Sequence, residues 1–224
     1  MTLVVGWLME ESDSVLEKNQ IEYTSCFCEE NIWQACKWLK ENSPRHYENS
    51  FAILVTNKNE TIPIACHSSE AHKIVVWDYH VLLLTKSLES NSFVVVDFDY
   101  KDPDEIEQGR KEGEEKKRKW SLSCPMLRYC ENALRVRFQL REEFERMYRV
   151  IPGPTYFANF FSDRMHMKDE KGGWLKPPPS YPCINENNPQ RDPKYSLPML
   201  RNMKNVDDML MDEEKFLEKF LFFE

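Results

Sequence analysis

The spacing of apolar residues predicts a helix that begins near Glu29. The apolar stripe consists of Ile32, Cys36 and Leu39, with Trp33 beside it. Glu29 and Glu30 occupy the first predicted turn, where the positive end of the helix dipole favours negative charge. Cys28 is therefore expected at the N-terminus of this helix, where unpaired backbone N–H groups and the dipole both favour a thiolate.

Two short segments after this helix are rich in β-branched and apolar residues. Residues 51–56 and 61–65 read as strands, and the polar residues 57–60 between them favour a turn. Together they predict a β-hairpin.

A second strand pair is predicted over residues 74–85 and 92–99, and its nearly continuous hydrophobicity indicates a sheet covered on both faces. If Thr85 pairs with Ser92, antiparallel geometry places His80 opposite Asp97. A shift of one residue would put these two side chains on opposite faces, so the inference depends on the loop length.

The remaining segments differ in their composition. Residues 1–21 are interpreted as an N-terminal extension to a single catalytic domain over 22–224. Residues 101–120 carry many charges of both signs and predict a solvated insert. Helices are predicted over 131–149, 154–164 and, as an amphipathic C-terminal helix, 206–223, whereas the proline-rich stretch 172–182 is expected to be irregular.

Composition narrows the class of protein. The 224 residues are 41% hydrophobic and carry a net charge of −8, which favours a folded chain and makes nucleic acid and anionic membranes unfavourable partners. No stretch approaches the ~18 apolar residues of a membrane span, and no signal peptide is expected. The seven cysteines are odd in number and scattered, which favours a reducing compartment, cytoplasmic or nuclear.

Three residues supply the parts of a cysteine hydrolase. Cys28 is the candidate nucleophile, His80 can take the thiol proton and later donate it, and Asp97 can orient the imidazole. A carboxylate in an apolar strand needs a partner, and His80 offers one. The backbone N–H of Cys28 can also stabilise a developing oxyanion.

Other uses of the same residue types compete with this interpretation. Cysteines beside helices and histidines on buried strands are commonly packing residues. Cys26 is a rival nucleophile, but it lies further from the helix. A zinc site is disfavoured because its candidate ligands lack paired clusters of recognisable spacing; those ligands are Cys26, Cys28, Cys66, His67 and His72.

Several motifs follow one another along the chain. The string WDYHV is present at residues 77–81, and a predicted strand ends with Asp97-Phe98-Asp99. Further segments are Ser25-Cys26-Phe27-Cys28-Glu29-Glu30-Asn31-Ile32-Trp33, Asn159-Phe160-Phe161-Ser162-Asp163-Arg164, His166-Met167-Lys168-Asp169 and Pro177-Pro178-Pro179-Ser180-Tyr181-Pro182-Cys183-Ile184. Together these motifs resemble the protein N-terminal glutamine amidohydrolases, a family often labelled by the string WDYHV. The resemblance covers residues 22–186 apart from the charged insert.

The resemblance implies a single-domain α/β/α sandwich with a mainly antiparallel central sheet, similar to papain-like and transglutaminase-like cysteine hydrolases. It implies hydrolysis of the side-chain amide of N-terminal glutamine to glutamate, with release of ammonia, as a step towards degradation in the N-degron pathway. The catalytic residues of the family fall on Cys28, His80 and Asp97. No metal and no organic cofactor are implied.

Recognition of a free N-terminus requires a group that binds the substrate ammonium. The assumed register places Asp78 and Asp99 on the face of His80 and Asp97, so either is a candidate; both could instead hold loop amides at the strand ends. Asp99 is also a rival for the third catalytic position. A monomer is expected. The alternatives are a cysteine protease or transglutaminase-like enzyme, or a noncatalytic module that binds N-termini.

Overall fold

The computed structural model describes residues 15–67, 73–112, 123–189, 191–204, 207 and 209–221, and all statements below concern these residues. They form three layers, with a six-stranded sheet between two layers of helices. Eight strands are present: β1 (Ser50–Thr56), β2 (Ile62–Ala65), β3 (Ile74–Trp77), β4 (Tyr79–Lys86), β5 (Phe93–Val96), β6 (Ser123–Pro125), β7 (Met147–Pro152) and β8 (Leu210–Asp212).

The central sheet has the strand order β6-β5-β4-β1-β7-β8, and each pair in it is antiparallel. Strands β2 and β3 form a separate antiparallel pair. The two central strands β1 and β4 are buried along nearly their whole length. This confirms the expected α/β fold with a mainly antiparallel sheet covered on both faces.

One face of the sheet is covered by four helices: α1 (Cys28–Asn42), α2 (Pro44–Glu48), α5 (Gly153–Asn159) and α6 (Leu197–Arg201). The apolar stripe predicted from the sequence is the face of α1 that packs on the sheet. Leu16 joins the same core with 2% of its surface exposed, so the end of the predicted N-terminal extension is packed against the domain.

The opposite face carries the β2–β3 pair together with α4 (Met126–Tyr129), a π-helical turn (Cys130–Leu134) and α7 (Glu213–Phe220). The remaining helix, α3 (Pro103–Glu112), lies within the predicted charged insert. No described helix has the length and apolar content needed to cross a membrane.

One predicted hairpin is wrong, and two predicted helices are shorter than expected. Residues 51–56 and 61–65 do not form a hairpin, because β1 pairs with β4 and β7 while β2 pairs with β3. The helix predicted over 131–149 is limited to the turn before Arg135, whose φ of 53° ends it, and residues from 147 form β7. The helix predicted over 154–164 ends at Asn159.

The C-terminal helix begins seven residues later than the expected start at 206. Residues 210–212 pair with β7 as strand β8, and the Asp212 side chain accepts a hydrogen bond from the Lys215 backbone N–H as the N-cap of α7. Strand β8 leads directly into the amphipathic helix α7. In the sequence, the apolar residues of the two elements together resemble the pattern of one longer helix. Residues 206, 208, 222 and 223 of the predicted helix lie outside the described range.

The hairpin predicted over residues 74–85 and 92–99 is shorter than expected. Residues 74–77 form β3 in the other sheet, β4 pairs with β5, and β5 ends at Val96, before Asp97. The register of the hairpin is also shifted by two residues. Thr85 faces Val94, rather than Ser92. The Ser87 side chain accepts hydrogen bonds from the backbone N–H groups of Glu89 and Ser90, which organises a loop that begins one residue later than assumed. A two-residue shift leaves every side chain on its original face.

Candidate active site

Cys28 is the first residue of α1, as the sequence predicts. The loop before it is tied to the helix through Asn31, whose side chain exchanges two 2.8 Å hydrogen bonds with the backbone of Thr24. Cys26 lies in that loop with a φ of 68° and is partly exposed. Cys28 is thus held by the helix start, whereas Cys26 belongs to a turn.

Cys28 lies against the central sheet near the point where the pairing between β4 and β5 ends. Strand β5 ends at Val96 opposite Leu83, so Val81 has no partner on β5. Cys28 packs against the apolar cluster to which Val81 belongs. The start of α1 therefore packs near Val81, the residue that follows His80, at the end of the β4–β5 pairing.

The environment of Cys28 differs from the expected thiolate-stabilising one. Burial raises the pKa of the Cys28 thiol well above its usual range, and the Glu29 and Asp99 carboxylates raise it further, whereas the Val81 backbone has a smaller, opposite effect. The Glu29 Oε2 atom lies 3.6 Å from Cys28 Sγ. Burial and the carboxylates favour the thiol, whereas the helix N-terminus favours the thiolate.

The structure brings His80 and Asp97 together. His80 Nε2 lies 2.9 Å from Asp97 Oδ1, and both side chains are almost fully buried. Burial lowers the pKa of His80, but Asp97 and, more weakly, Asp99 and Glu29 raise it above the ordinary value. Because Nε2 bonds to Asp97, Nδ1 is the ring nitrogen that can accept a proton.

No hydrogen bond joins the Cys28 thiol to the His80 ring among the described residues. Val81, one residue beyond His80, belongs to the apolar cluster against which Cys28 packs. Hydrogen bonds between a nucleophile and its base are often long in a free enzyme and shorten once substrate binds.

Asp97 is the centre of the hydrogen-bond network. Its Oδ2 atom accepts from the Tyr129 hydroxyl at 2.6 Å and lies 3.0 Å from His67 Nε2, while Oδ1 accepts from the Asp99 backbone N–H. Burial raises the pKa of Asp97, but His80 and His67 lower it, with the net result well below the usual range. Asp97 is thus an ionised carboxylate with a fixed orientation.

The two further carboxylates predicted near the site have different partners. Asp78 separates β3 from β4, accepts a hydrogen bond from the Tyr79 backbone N–H and lies 3.2 Å from Arg201. Asp99 accepts a hydrogen bond from the Tyr23 hydroxyl at 3.2 Å. Of Asp78 and Asp99, it is Asp99 that affects the pKa of both Cys28 and His80.

Glu29 is a site residue whose position next to the nucleophile was missed, since its sequence context suggested only a favourable helix-dipole interaction. Its side chain is fully buried, and Oε2 accepts a hydrogen bond from the Tyr79 hydroxyl at 3.0 Å. The other oxygen, Oε1, lies 3.4 Å from His166 Nε2. Glu29, Tyr79 and His166 form a polar cluster beside Cys28, and its only sequence signal is that all three fall in the matching motifs.

A buried ion pair fixes the start of α1 against the proline-rich stretch. Arg164 donates to both carboxylate oxygens of Glu30 at 2.8 Å, and to the carbonyl oxygens of Tyr181 and Pro182. A bidentate pair is geometrically specific. It accounts for the ordered course of a segment that has no regular secondary structure.

The described residues include one group that could hold a metal ion, namely His67, His80 and Asp97, with ligand atoms within 4.8 Å of one another. The indole N–H of Trp77 points at His67 Nδ1. An indole nitrogen only donates, so Nδ1 must be an acceptor and Nε2 must carry the proton. A neutral His67 that bound a metal through Nε2 would present an Nδ1–H to the Trp77 N–H, and two donors would then oppose each other. The group therefore fits a hydrogen-bond network better than a metal site.

Comparison with models of protein families shows which family this chain belongs to. The family model described as N-terminal glutamine amidase matches residues 23–220, which include every residue of the site. This chain belongs to the N-terminal glutamine amidase family.

Relatives of this amidase are similar over most of their length. Proteins named protein N-terminal glutamine amidohydrolase are 38% identical in Danio rerio, over 74% of this chain and 73% of the relative, and 37% identical in Bos taurus, over 72% and 70%. A Drosophila virilis protein of the same name is 34% identical over 74% and 72%. The resemblance inferred from the motifs is confirmed.

Proposed function

We propose that this protein hydrolyses the side-chain amide of N-terminal glutamine on proteins and peptides, giving glutamate and ammonia. The observation that carries the proposal is the buried His80–Asp97 pair at 2.9 Å, beside a cysteine that begins a helix. Membership of the amidase family supports the same reaction. The proposed catalytic residues are Cys28, His80 and Asp97.

The first step is attack on the substrate carboxamide. Since the pKa of Cys28 is raised, the thiol passes its proton to His80 Nδ1 as the sulfur attacks the carbonyl carbon. Asp97 stabilises the resulting imidazolium and holds the ring in place. The Cys28 backbone N–H lies at a helix start, has no intrahelical partner, and is a donor for the oxyanion.

The intermediate then collapses. His80 gives its proton to the leaving nitrogen, the C–N bond breaks, and ammonia departs, leaving a γ-glutamyl thioester on Cys28. A water that gives a proton to His80 attacks the thioester carbon, the C–S bond breaks, and the thiolate recovers the proton. The product is N-terminal glutamate, and the free enzyme is restored.

Asp99 is the proposed binding group for the α-ammonium of the substrate. It is close enough to Cys28 and His80 to affect both pKa values, whereas Asp78 is engaged by Arg201. A cation already lies on the residue that donates to Asp99: the Lys18 ammonium is 3.3 Å from the centre of the Tyr23 ring, and the Tyr23 hydroxyl donates to Asp99. Burial lowers the pKa of Lys18, and Asp99 opposes that effect.

Matched variants of the two carboxylates test this assignment. Asp99→Asn should raise KM for a peptide with N-terminal glutamine, while Asp78→Asn should leave KM close to the wild-type value. Equal KM values for wild type and Asp99→Asn would refute it. Asp97→Asn should instead lower kcat, and a larger kcat loss in Asp99→Asn would make Asp99 the orienting residue.

The activity is tested with three peptides that differ only in the position or capping of glutamine. Ammonia release and a mass gain of ~1 Da are expected from free N-terminal glutamine alone. Release from internal glutamine would indicate a transglutaminase-like or general glutaminase activity, and peptide-bond cleavage would indicate a protease. Binding without turnover would indicate a recognition module, and any of these three results contradicts the proposal.

The proposal extends to the setting of the reaction. We infer that the enzyme is a monomer in the cytoplasm or nucleus and that its product enters the N-degron pathway. The net charge of −8 and the carboxylates around Cys28 favour cationic N-termini over nucleic acid or anionic lipid.

A further inference from the structure

His67 is a second histidine on the Asp97 carboxylate. It follows β2 by two residues, and its side chain is completely buried. Its Nε2 atom lies 3.0 Å from Asp97 Oδ2, and its ring packs edge-on against His80 with 4.7 Å between the ring centres. His67 therefore contacts both the orienting residue and the base of the proposed site, yet no step of the proposed mechanism uses it.

Trp77 fixes the protonation of His67. Its indole N–H donates to His67 Nδ1 at 3.2 Å, so the neutral ring carries its proton on Nε2 and donates it to Asp97. The same indole stacks on His80, with an angle of 24° between the rings and 6.2 Å between their centres. One tryptophan thus orients two histidines that share one carboxylate.

The donors to Asp97 are balanced between its two oxygens. Oδ1 receives the His80 ring and the Asp99 backbone N–H. Oδ2 receives the Tyr129 hydroxyl and the His67 ring. Without His67, one oxygen of a buried carboxylate would keep a single donor, and the carboxylate could rotate away from His80.

We propose that His67 is a positioning residue, held by Trp77 as the Nε2–H tautomer so that it fixes the Asp97 carboxylate against His80. This inference rests on the proposed function, because it assigns a role within the same reaction. The His67 side chain has no exposed surface, so it acts on kcat without touching the substrate. The donated hydrogen bond, rather than the bulk or charge of the ring, is the required property.

Two substitutions of His67 separate the hydrogen bond from simple packing. His67→Phe keeps a ring but removes the donor, and kcat for a peptide with N-terminal glutamine should fall by about tenfold or more with little change in KM. His67→Gln keeps an N–H donor and should retain kcat within roughly threefold of wild type. Equal losses in the two variants, or an unchanged kcat in His67→Phe, would overturn the proposal.

Trp77 provides a double-mutant test. Trp77→Phe removes the indole N–H, frees His67 to adopt either tautomer, and should lower kcat. In the His67→Gln background, the donor no longer depends on a tautomer, so adding Trp77→Phe should cost clearly less. Additive losses would mean that the indole acts independently of His67, contrary to the proposal.

The tautomer can be read without measuring activity. In a ¹⁵N-labelled sample, the His67 resonances, identified by their absence from His67→Gln, should show protonated Nε2 and unprotonated Nδ1. A protonated Nδ1 would overturn the inference even if a variant failed to fold. Absence of turnover in the wild type would contradict the proposed function, whereas an active wild type with the wrong tautomer would contradict this inference alone.

Discussion

Glu29 is expected to suppress the thiolate form of Cys28. Its carboxylate lies 3.6 Å from the sulfur and is fully buried. Two unit charges at that separation repel by ~1 kcal/mol at the dielectric constant of water and by ~5 kcal/mol at an effective value of 20. Glu29→Gln removes the charge while retaining an oxygen that can accept from the Tyr79 hydroxyl, so more Cys28 should be ionised at neutral pH.

The expected change can be stated as a rate of alkylation. A less basic thiolate is a weaker nucleophile, which offsets just under half of the logarithmic gain in thiolate. Glu29→Gln should therefore react with iodoacetamide from about 3-fold to about 70-fold faster than wild type at pH 7. Because the chain has seven cysteines, the modification must be followed on the peptide that contains Cys28, by mass spectrometry.

The Asp99→Asn variant is the matched control, since Asp99 also raises the pKa of Cys28 but by less than Glu29. It should accelerate alkylation by a smaller factor. An unchanged or slower reaction of Glu29→Gln, in a protein with wild-type thermal unfolding, would refute the electrostatic account of the site.

Three further predictions concern the base and the packing around the site. The pKa of His80 is raised above 6.5, and only the neutral ring can accept the thiol proton, so the acid limb of kcat/KM should have its midpoint above 6.5; a midpoint below 6 would contradict this. Arg164→Met leaves Glu30 as an unpaired buried carboxylate and should cost ~3–5 kcal/mol in urea unfolding. Gly153→Ala adds a Cβ that overlaps the Ser50 hydroxyl oxygen and should lower the unfolding temperature, and the double variant with Ser50→Gly should recover part of the loss; no recovery would exclude this overlap as the cause.

The parts of the fold that could be predicted are those in which the spacing of apolar residues reflects burial and local backbone geometry. The start of α1 at Cys28 and the β4–β5 hairpin follow from the 3.6-residue and strand-like patterns. The pairing of β1 was not predictable, because short apolar strands carry no mark of their partner. Strand β1 lies between β4 and β7 and does not pair with β2. Strand β7 follows β1 by about ninety residues in the sequence.

The site shows the same division between local and distant information. His80 and Asp97 were expected on one face, and they remain there because a two-residue error in register preserves the face of each side chain. The pKa of Cys28 was not predictable, since it depends on burial and on carboxylates whose positions the fold decides. His67 was considered only as a metal ligand, because its contact with Asp97 joins residues that are 30 positions apart in the sequence.

The identity of the nucleophile is the claim on which the mechanism rests, and two neighbouring cysteines allow a direct test. Ammonia release from a peptide with free N-terminal glutamine should be abolished in Cys28→Ala and retained in Cys26→Ala, because Cys28 begins α1 beside Val81 while Cys26 lies in the preceding turn. Turnover that survives in Cys28→Ala, or that is lost only in Cys26→Ala, would contradict the account.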